Sequence, residues 1–303
     1  MNFSNYKFRS HMVGKIINVP KPLTKNQDLT LSGLNEKGFE KLTEAQKKTF
    51  HNLSNKLNES KTYRLTEAIK NTLTQLAFSN KYGRKIEINS PKLTKGNEVE
   101  KAGRDILTRV SNIFLTSSIE RKTNDWVTGA IDIEPKDVIV DIKSAWSWES
   151  FSKILQEKPN EIYLRQGDSY MDLWNKKEFL LCHILVDTPY KLIEGEIRKK
   201  DYQNNILDME GNVREDSIAE VKKTVTNHIF SRKGLEDFCD YSANVYIEWF
   251  DDFIEIPEQE RVHMISHSFD KTRIAQRNEC ISLAREFMNT VKPMNNFNPE
   301  SIK

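Results

Sequence analysis

The sequence is poor in cysteine and has no long hydrophobic run. Its 303 residues contain three cysteines, Cys182, Cys239 and Cys280, which are isolated from one another. This usage argues against a disulfide framework and a cysteine-based metal site, and it is typical of a reducing cytoplasm, where we expect the protein. No run approaches the roughly 20 apolar residues of a membrane span, so no membrane association is expected. The polar first thirty residues, broken by Pro20 and Pro22, contain no apolar signal-peptide core.

Several common catalytic motifs are also missing. Gly33 and Gly38 have the spacing of a phosphate-binding loop, but Phe39-Glu40 stands where that loop needs Lys and Ser or Thr, so no ATP site is indicated. His263 and His267 lack the glutamate of a zinc-binding helix and lie in a strand-like run, so we do not expect them to bind metal. No Gly-x-Ser-x-Gly motif of a serine hydrolase occurs.

The net charge of +2 gives no general nucleic-acid signature, but charge is segregated along the chain. Residues 61–95 contain eight basic and two acidic side chains, a surplus of +6. A basic surface of this kind suits contacts to DNA phosphates. Residues 234–260 contain nine acids and no base, and they include Tyr241, Tyr246, Trp249 and Phe250. A charge run is often a solvated face, but these aromatic residues favour a folded, partly buried segment over a disordered acidic tail.

Residues 127–143 read as two short strands joined by a turn. The second strand is β-branched and ends in Asp141-Ile142-Lys143, so Asp141 and Lys143 project from the same face and Ile142 from the other. Burying unpaired charge is costly, and a metal ion at Asp141 with Lys143 beside it would explain the pattern. Asp132, near the end of the preceding strand, could reach the same ion, as metal-assisted phosphodiester hydrolysis requires. The alternative is a chance triplet on a solvated face, since 30% of the residues are charged.

A helix upstream of these strands offers a third acid. Residues 95–114 have apolar positions at helical spacing, with Glu100 beside the apolar stripe and Arg104 one turn later. The alternative for these two residues is an ordinary Glu–Arg pair on a helix surface.

A second helix follows the strands. Tyr163, Gln166 and Tyr170 fall at i, i+3 and i+7, which places them on one helix face, and an apolar strand follows at 178–187. This stripe could instead be core, with a buried glutamine bonded to backbone.

The order of these motifs resembles the PD-(D/E)XK nuclease superfamily, and within it the phage exonucleases of the lambda-exonuclease and YqaJ viral-recombinase type. The resemblance covers about residues 95–190 and is carried by Gly96-x-x-x-Glu100, Gly129-x-x-Asp132, Asp141-x-Lys143 and Gln166-x-x-x-Tyr170. No proline precedes Asp132 where the superfamily name places one, and Asp125 is the alternative second acid. The resemblance implies an α/β (mixed α+β) fold with a restriction-endonuclease-like core. In that fold a central mixed sheet is flanked by helices, with helical N-terminal and α+β C-terminal additions.

The resemblance also implies a metal-dependent DNA exonuclease that acts on duplex ends, from the 5′ end, in phage recombination. One or two Mg²⁺ ions, replaceable by Mn²⁺, would be held by Asp132, Asp141, Glu100 and the carbonyl of Ile142. Lys143 would orient and deprotonate the attacking water, Gln166 would orient the site, and Tyr170 would pack beside it or touch DNA. The residues expected to contact DNA are Arg84, Lys85, Arg104 and Tyr170.

We expect three parts along the chain: a helical N-terminal region at 1–94 with a DNA-facing basic segment at 61–95, a nuclease core at 95–190, and a C-terminal extension of the same domain at 191–303. Expected partners are duplex DNA ends, a single-strand annealing protein and further copies of the chain, in the cytoplasm of a bacterial host. The alternatives are an endonuclease of restriction or repair type, and a non-catalytic DNA-binding or assembly subunit. The complete set of acids and lysine argues against the last.

Outside the motifs, the pattern predicts an irregular start at residues 1–35. It predicts helices at 36–58, 62–79, 190–206, 215–231 and 271–291, and strands starting near 243 and 261.

Overall fold

The structure, a computed structural model, describes residues 2–84, 90–112, 120–131, 133 and 137–292. The chain divides into two compact units. The first unit comprises Met1–Ile86, Thr123–Thr128 and Asp270–Lys303, and the second comprises Glu87–Lys122 and Gly129–Phe269. The division into 1–94, 95–190 and 191–303 stays a prediction. No helix within the described ranges is long and apolar enough to cross a membrane.

The first unit is mainly helical. Its elements are β1 (Phe8–Arg9), α1 (Ser10–Ile16), α2 (Lys25–Lys37), a 3₁₀ helix (Phe39–Lys41), α3 (Glu44–Glu59), α4 (Glu67–Tyr82) and, from the end of the chain, α11 (Lys271–Thr290). The predicted helices at 62–79 and 271–291 are confirmed as α4 and α11. β1 pairs in parallel with the start of β3 (Val127–Ala130), with Phe8 opposite Val127.

The prediction of an irregular start was wrong, because α1 and α2 lie within it. Thr24 begins α2 with a capping box, in which its side chain accepts from the Gln27 amide while the Gln27 side chain accepts from the Thr24 amide. The single predicted helix at 36–58 is instead broken at Gly38, whose φ of 79° lies in the left-handed region that favours glycine. A second capping box at Thr43 then begins α3.

The second unit contains the central sheet. Its helices are α5 (Pro91–Ser111), α6 (Trp148–Gln156), α7 (Glu161–Trp174), α8 (Tyr190–Asn204), α9 (Ile218–Thr226) and α10 (Arg232–Tyr241). Its 3₁₀ helices are Glu215–Ser217, Ile247–Phe250 and Glu258–Arg261, and its main strands are β4 (Val138–Ser144), β5 (Glu178–Ile184) and β6 (Val262–Ser268). The chain crosses between the units within β2 (Arg121–Thr123) and within β3.

The central sheet has the order β4-β5-β6 and is mixed. β4 pairs with β5 in parallel, with Asp141 opposite Leu181 and Lys143 opposite His183. β5 pairs with β6 in antiparallel orientation, with His183 opposite His263. The predicted mixed sheet flanked by helices is therefore confirmed, as is a strand starting near 261.

Helices cover both faces of this sheet because each strand alternates its side chains. On one face, Val140, Ile142 and Ile184 pack against α5. On the other face, the apolar residues of the strands pack against α7, and the members of this cluster include Ile139, Phe179, Leu181, Tyr170, Met171 and Trp174. α7 approaches β5 very closely at Gly167, where an added Cβ would lie 2.6 Å from Phe179 Cε1. Only glycine fits there without a shift of the helix or the ring.

The rest of the second unit packs around a separate apolar cluster that includes Ile193, Val221, Phe238 and Phe250. The predicted helix at 190–206 is confirmed as α8, but the one at 215–231 ends at Thr226, and α10 begins after a Ser231 cap. The predicted strand near 243 was wrong, because a 3₁₀ helix there buries Phe250.

The acidic segment 234–260 is folded and partly buried, as its aromatic residues predict. Two of its acids form ion pairs with neighbouring helices: Asp252 with Lys222 at 2.9 Å, and Glu258 with Arg109.

Candidate active site

Asp141 and Lys143 lie on the face of β4 that is turned toward α7. Asp141 is 2% exposed, and Lys143 Nζ lies 2.6 Å from its Oδ2. This contact is not oriented as a hydrogen bond, so Oδ2 is a buried carboxylate oxygen that accepts none from the described residues. A buried acceptor of this kind usually has a partner, and a carboxylate oxygen is a suitable ligand for a hard divalent cation.

Helix α7 holds the other oxygen of the same carboxylate. Gln166 Nε2 donates to Asp141 Oδ1 over 3.1 Å and to Tyr170 Oη over 2.8 Å. Gln166 and Tyr170 are both buried. The glutamine therefore bonds the acid and the tyrosine through its side chain, rather than backbone as the core alternative required. The burial of Tyr170 favours packing beside Gln166 over a direct contact with DNA.

Two further side chains lie beside Lys143. The ring of Tyr163, one turn before Gln166 on α7, has its centroid 5.4 Å from Lys143 Nζ. His183 is opposite Lys143 in the parallel pair, and its ring lies 6.0 Å from that of Tyr163. The pKa of His183 is lowered to about 4, mainly by burial and additionally by the nearby His263 and Lys143. His183 is therefore a neutral neighbour of Lys143 at neutral pH.

Sequence patterns did not single out His183. His263 was considered only for its spacing from His267, whereas the structure sets it opposite His183 on β6. The signal that could have found this pair is the register of three strands, which no single strand reveals. His267 bonds elsewhere, with Nε2 2.9 Å from Oδ1 of the buried Asp168.

Glu100 is exposed on α5, and neither Glu100 nor Arg104 forms an ion pair within the described residues. The surface-pair alternative for these two residues is thus not what the structure contains. α5 crosses the opposite face of β4 from Asp141, since a Cβ on Gly103 would lie 3.5 Å from Ile142 Cγ2. Where described, the chain brings no three His, Cys, Asp or Glu side chains together in a metal-binding group.

The remaining predicted residues belong to the first unit or fall outside the described residues. Asp132 and Lys85 fall outside the described residues. Asp125, the alternative second acid, is an exposed residue of the first unit. Arg84 is exposed just after α4 in the same unit. The roles assigned to these four residues stay predictions.

Lys95 corrects the picture of a basic surface along residues 61–95. It is 1% exposed, and its Nζ donates to the Trp146 carbonyl over 3.0 Å and to Thr188 Oγ1 over 2.9 Å. Burial lowers its pKa to about 7, and the charge of Asp187 partly opposes this shift. Lys95 lies on the buried stripe of α5, so it cannot contribute to a DNA-facing surface.

Comparison with known proteins bears on the fold. A solved phage-related exonuclease from Haemophilus somnus 129PT is similar, with a TM-score of 0.56, 18% sequence identity and 95% coverage of each chain. This chain shares the fold of that exonuclease. The match confirms the fold class that the sequence motifs imply.

Two further structures of an alkaline exonuclease, LHK-Exo from Laribacter hongkongensis, are also similar. One has a TM-score of 0.48 and 11% identity over 94% of this chain and 89% of that chain. The other, in complex with dAMP, has a TM-score of 0.44 and 12% identity over 74% and 81%. No family model and no curated protein matches the chain.

Proposed function

We propose that this chain is a metal-dependent DNA exonuclease that hydrolyses phosphodiester bonds from duplex ends, of the phage recombination type. One observation carries the proposal: Asp141 Oδ2 is a buried oxygen that accepts no hydrogen bond from the described residues, and Lys143 Nζ lies 2.6 Å away. Placing a buried carboxylate beside a lysine contributes little to stability. The same pair is useful where a cation and an attacking water must meet a phosphate. The fold shared with a phage-related exonuclease supports this choice of chemistry.

The residues present suit a hard divalent cation, for which we propose one or two Mg²⁺ ions, replaceable by Mn²⁺. Asp141 would hold the metal together with Asp132, Glu100 and the carbonyl of Ile142, all of them oxygen donors. When bound, the cation would polarise the scissile phosphate and stabilise the leaving oxygen. Asp141 Oδ2 fits this task because it is the oxygen that Gln166 leaves free of a hydrogen bond.

The protein's own side chains would then prepare the attack. Gln166 fixes the plane of the Asp141 carboxylate through Oδ1, and Tyr170 fixes Gln166. With Oδ2 committed to the metal, Lys143 would turn from Asp141, lose its ammonium proton to solvent, and as the neutral amine orient the attacking water and accept its proton. The Tyr163 ring, 5.4 Å from Nζ, and the neutral His183 confine Lys143 without adding a competing charge.

The deciding experiment is digestion of end-labelled linear duplex with Mg²⁺, with closed circular plasmid in parallel. We expect the linear duplex to shorten progressively from the 5′ end while the circle survives, and Asp141→Asn to stop digestion. Asp216→Asn, an exposed aspartate of the same unit, is the matched control. Discrete fragments from the circle would favour the endonuclease alternative, and no cleavage of either DNA would favour a non-catalytic subunit. The annealing-protein partner, the homo-oligomer and the cytoplasmic location stay predictions.

A further inference from the structure

The second unit contains a cleft directly after β4. Its volume is about 680 Å³, and the residues that shape it include Trp146, Trp148, Glu149, Glu196, Lys200 and Lys223. We call it the tryptophan cleft. It is separate from the Asp141 cluster but close to it, because Trp146 follows Lys143 by three residues, which span at most roughly 10 Å.

The two tryptophans are held firmly, and one of them is exposed. Trp148 is the first residue of α6, and its backbone amide donates to the Asn227 carbonyl over 2.9 Å. Its side chain is nevertheless 44% exposed. Trp146 packs edge to face against His228, with ring centroids 5.1 Å apart. An exposed tryptophan on a fixed backbone offers a large flat apolar surface to a ligand at little entropic cost.

A buried polar chain supports the wall behind Trp146. Lys95 Nζ donates to the Trp146 carbonyl and to Thr188 Oγ1, and Thr188 Oγ1 lies 3.2 Å from His228 Nδ1. Lys95, Thr188 and His228 are each at most 3% exposed. The position of the Trp146 backbone is thus set before any ligand arrives.

Among the described residues, all charged side chains of the cleft but Lys223 form an ion pair. Glu149 pairs with Lys153 at 2.7 Å, Glu196 pairs with Lys199 at 3.8 Å, and Lys200 pairs with Glu220. Lys223 forms no ion pair within the described part of the chain, although Glu149 and Glu220 are near enough to feel its charge. The first free amides of α6 are not an anion site, because Asn227 accepts from both Trp148 and Glu149.

We propose that the tryptophan cleft binds an unpaired DNA nucleotide, with its base stacked on the exposed face of Trp148 and its phosphate at Lys223. Flat aromatic faces beside one free cation are what binding of a single strand without base preference requires. The choice of DNA rests on the proposed function. The cleft would hold a nucleotide of a separated strand next to the hydrolysed bond.

Binding of a fluorescently labelled single-stranded oligonucleotide, followed by anisotropy in EDTA, tests this without requiring hydrolysis. We expect Trp148→Ala to weaken binding about tenfold, and Trp148→Phe, which keeps a stacking ring, to weaken it far less. Lys223→Ala should weaken binding a few-fold and flatten its salt dependence, while Lys223→Arg should retain both. Tyr202→Ala is the matched control, since Tyr202 is 93% exposed and lies outside the cleft.

Equal affinity of Trp148→Ala and the parent, with thermal melting confirming that both are folded, would overturn the proposal. So would an equal loss in Tyr202→Ala. Competition by dTMP as strong as that by the oligonucleotide would overturn the assignment to a strand and point to a free mononucleotide. If single-strand binding depends on Trp148 but the protein does not hydrolyse duplex DNA, the proposed exonuclease function is wrong and the proposed binding site is retained. If the protein hydrolyses duplex DNA but single-strand binding does not depend on Trp148, the proposed binding site is wrong and the proposed function is retained.

Discussion

The two faces of the β4-β5-β6 sheet are packed in different ways. The face toward α5 is apolar at Val138, Val140 and Ile142 of β4 and at Leu180, Cys182 and Ile184 of β5. The face toward α7 is apolar at Ile139 and Phe179 but turns polar at Asp141, Lys143 and His183. One face of β4 therefore contributes to the apolar core, and the other carries the polar side chains of the candidate site. Neighbouring residues of β4 project from opposite faces, so substitutions can change the packing of the core and the candidate site independently.

The largest effect expected on the α7 face is loss of hydrolysis. Asp141→Asn and Lys143→Ala should each lower the rate by on the order of a thousandfold or more, since each removes a group that the proposed mechanism places on the metal or the attacking water. Circular dichroism should show both variants folded. Calorimetric titration with Mg²⁺ should show weaker binding for Asp141→Asn and nearly unchanged binding for Lys143→Ala. A variant that cuts DNA within a few-fold of the parent would place the site elsewhere.

A smaller effect is expected from Gln166, which touches the carboxylate but not the phosphate. Gln166→Leu should lower hydrolysis and metal affinity by about 10- to 100-fold, as loss of a hydrogen bond to a metal-binding group commonly does. Tyr170→Phe should cost less, because it removes only the bond that supports Gln166. The measurement is the Mg²⁺ concentration needed for half-maximal rate. A purely structural role for Gln166 would lower stability and leave that concentration unchanged.

Substitution on the α5 face should instead change stability. Ile184→Ala, at a position that is fully buried against α5, should lower the free energy of unfolding by about 2–5 kcal/mol. Hydrolysis per folded molecule should stay near that of the parent. Urea unfolding followed by circular dichroism gives the first quantity, and digestion at low temperature gives the second. If activity fell with no loss of stability, the two faces would not be separable.

The smallest effect concerns pH. Burial lowers the pKa of His183 to about 4 in the folded state, below its ordinary value of 6.5. Between these values the unfolded chain binds the proton and the folded chain does not, so stability falls as pH drops through this window. Between pH 7 and pH 4.5, the free energy of unfolding of His183→Gln should fall by about 1–3 kcal/mol less than that of the parent. Urea unfolding at the two pH values measures this difference. An equal flattening by Met209→Ala, at a fully exposed position, would contradict the assignment to His183.

Short-range periodicity was sufficient for much of the site. The pairing of Asp141 with Lys143 follows from alternation in one strand, and the Gln166–Tyr170 bond follows from helical spacing. His183 and His263 could not be found this way, because their position depends on register between strands, which tertiary packing sets. The relation of Glu100 to Asp141 is also tertiary, since a helix pattern gives a face but not the strand that it crosses.

The errors elsewhere have similar causes. α2 was missed because only Leu31 and Leu34 bury an apolar face, although the Thr24–Gln27 capping pattern was present in the sequence. The segment near 243 was taken for a strand on its aromatic content. Its burial of Phe250 follows instead from packing against α8, α9 and α10 in the same cluster.

Gly167 affects both the packing of α7 on the sheet and the position of Gln166 in the candidate site. It adjoins Gln166 in sequence, and its missing Cβ lets the helix rest on the ring of Phe179. A larger residue there would require the ring of Phe179 or the helix to shift, and a shift of the helix would move Gln166 relative to Asp141. The packing distance between α7 and the sheet is therefore coupled to the hydrogen bond that orients the acid. A larger side chain at position 167 leaves that bond undisturbed only where the ring of Phe179 gives way or is replaced by a smaller side chain.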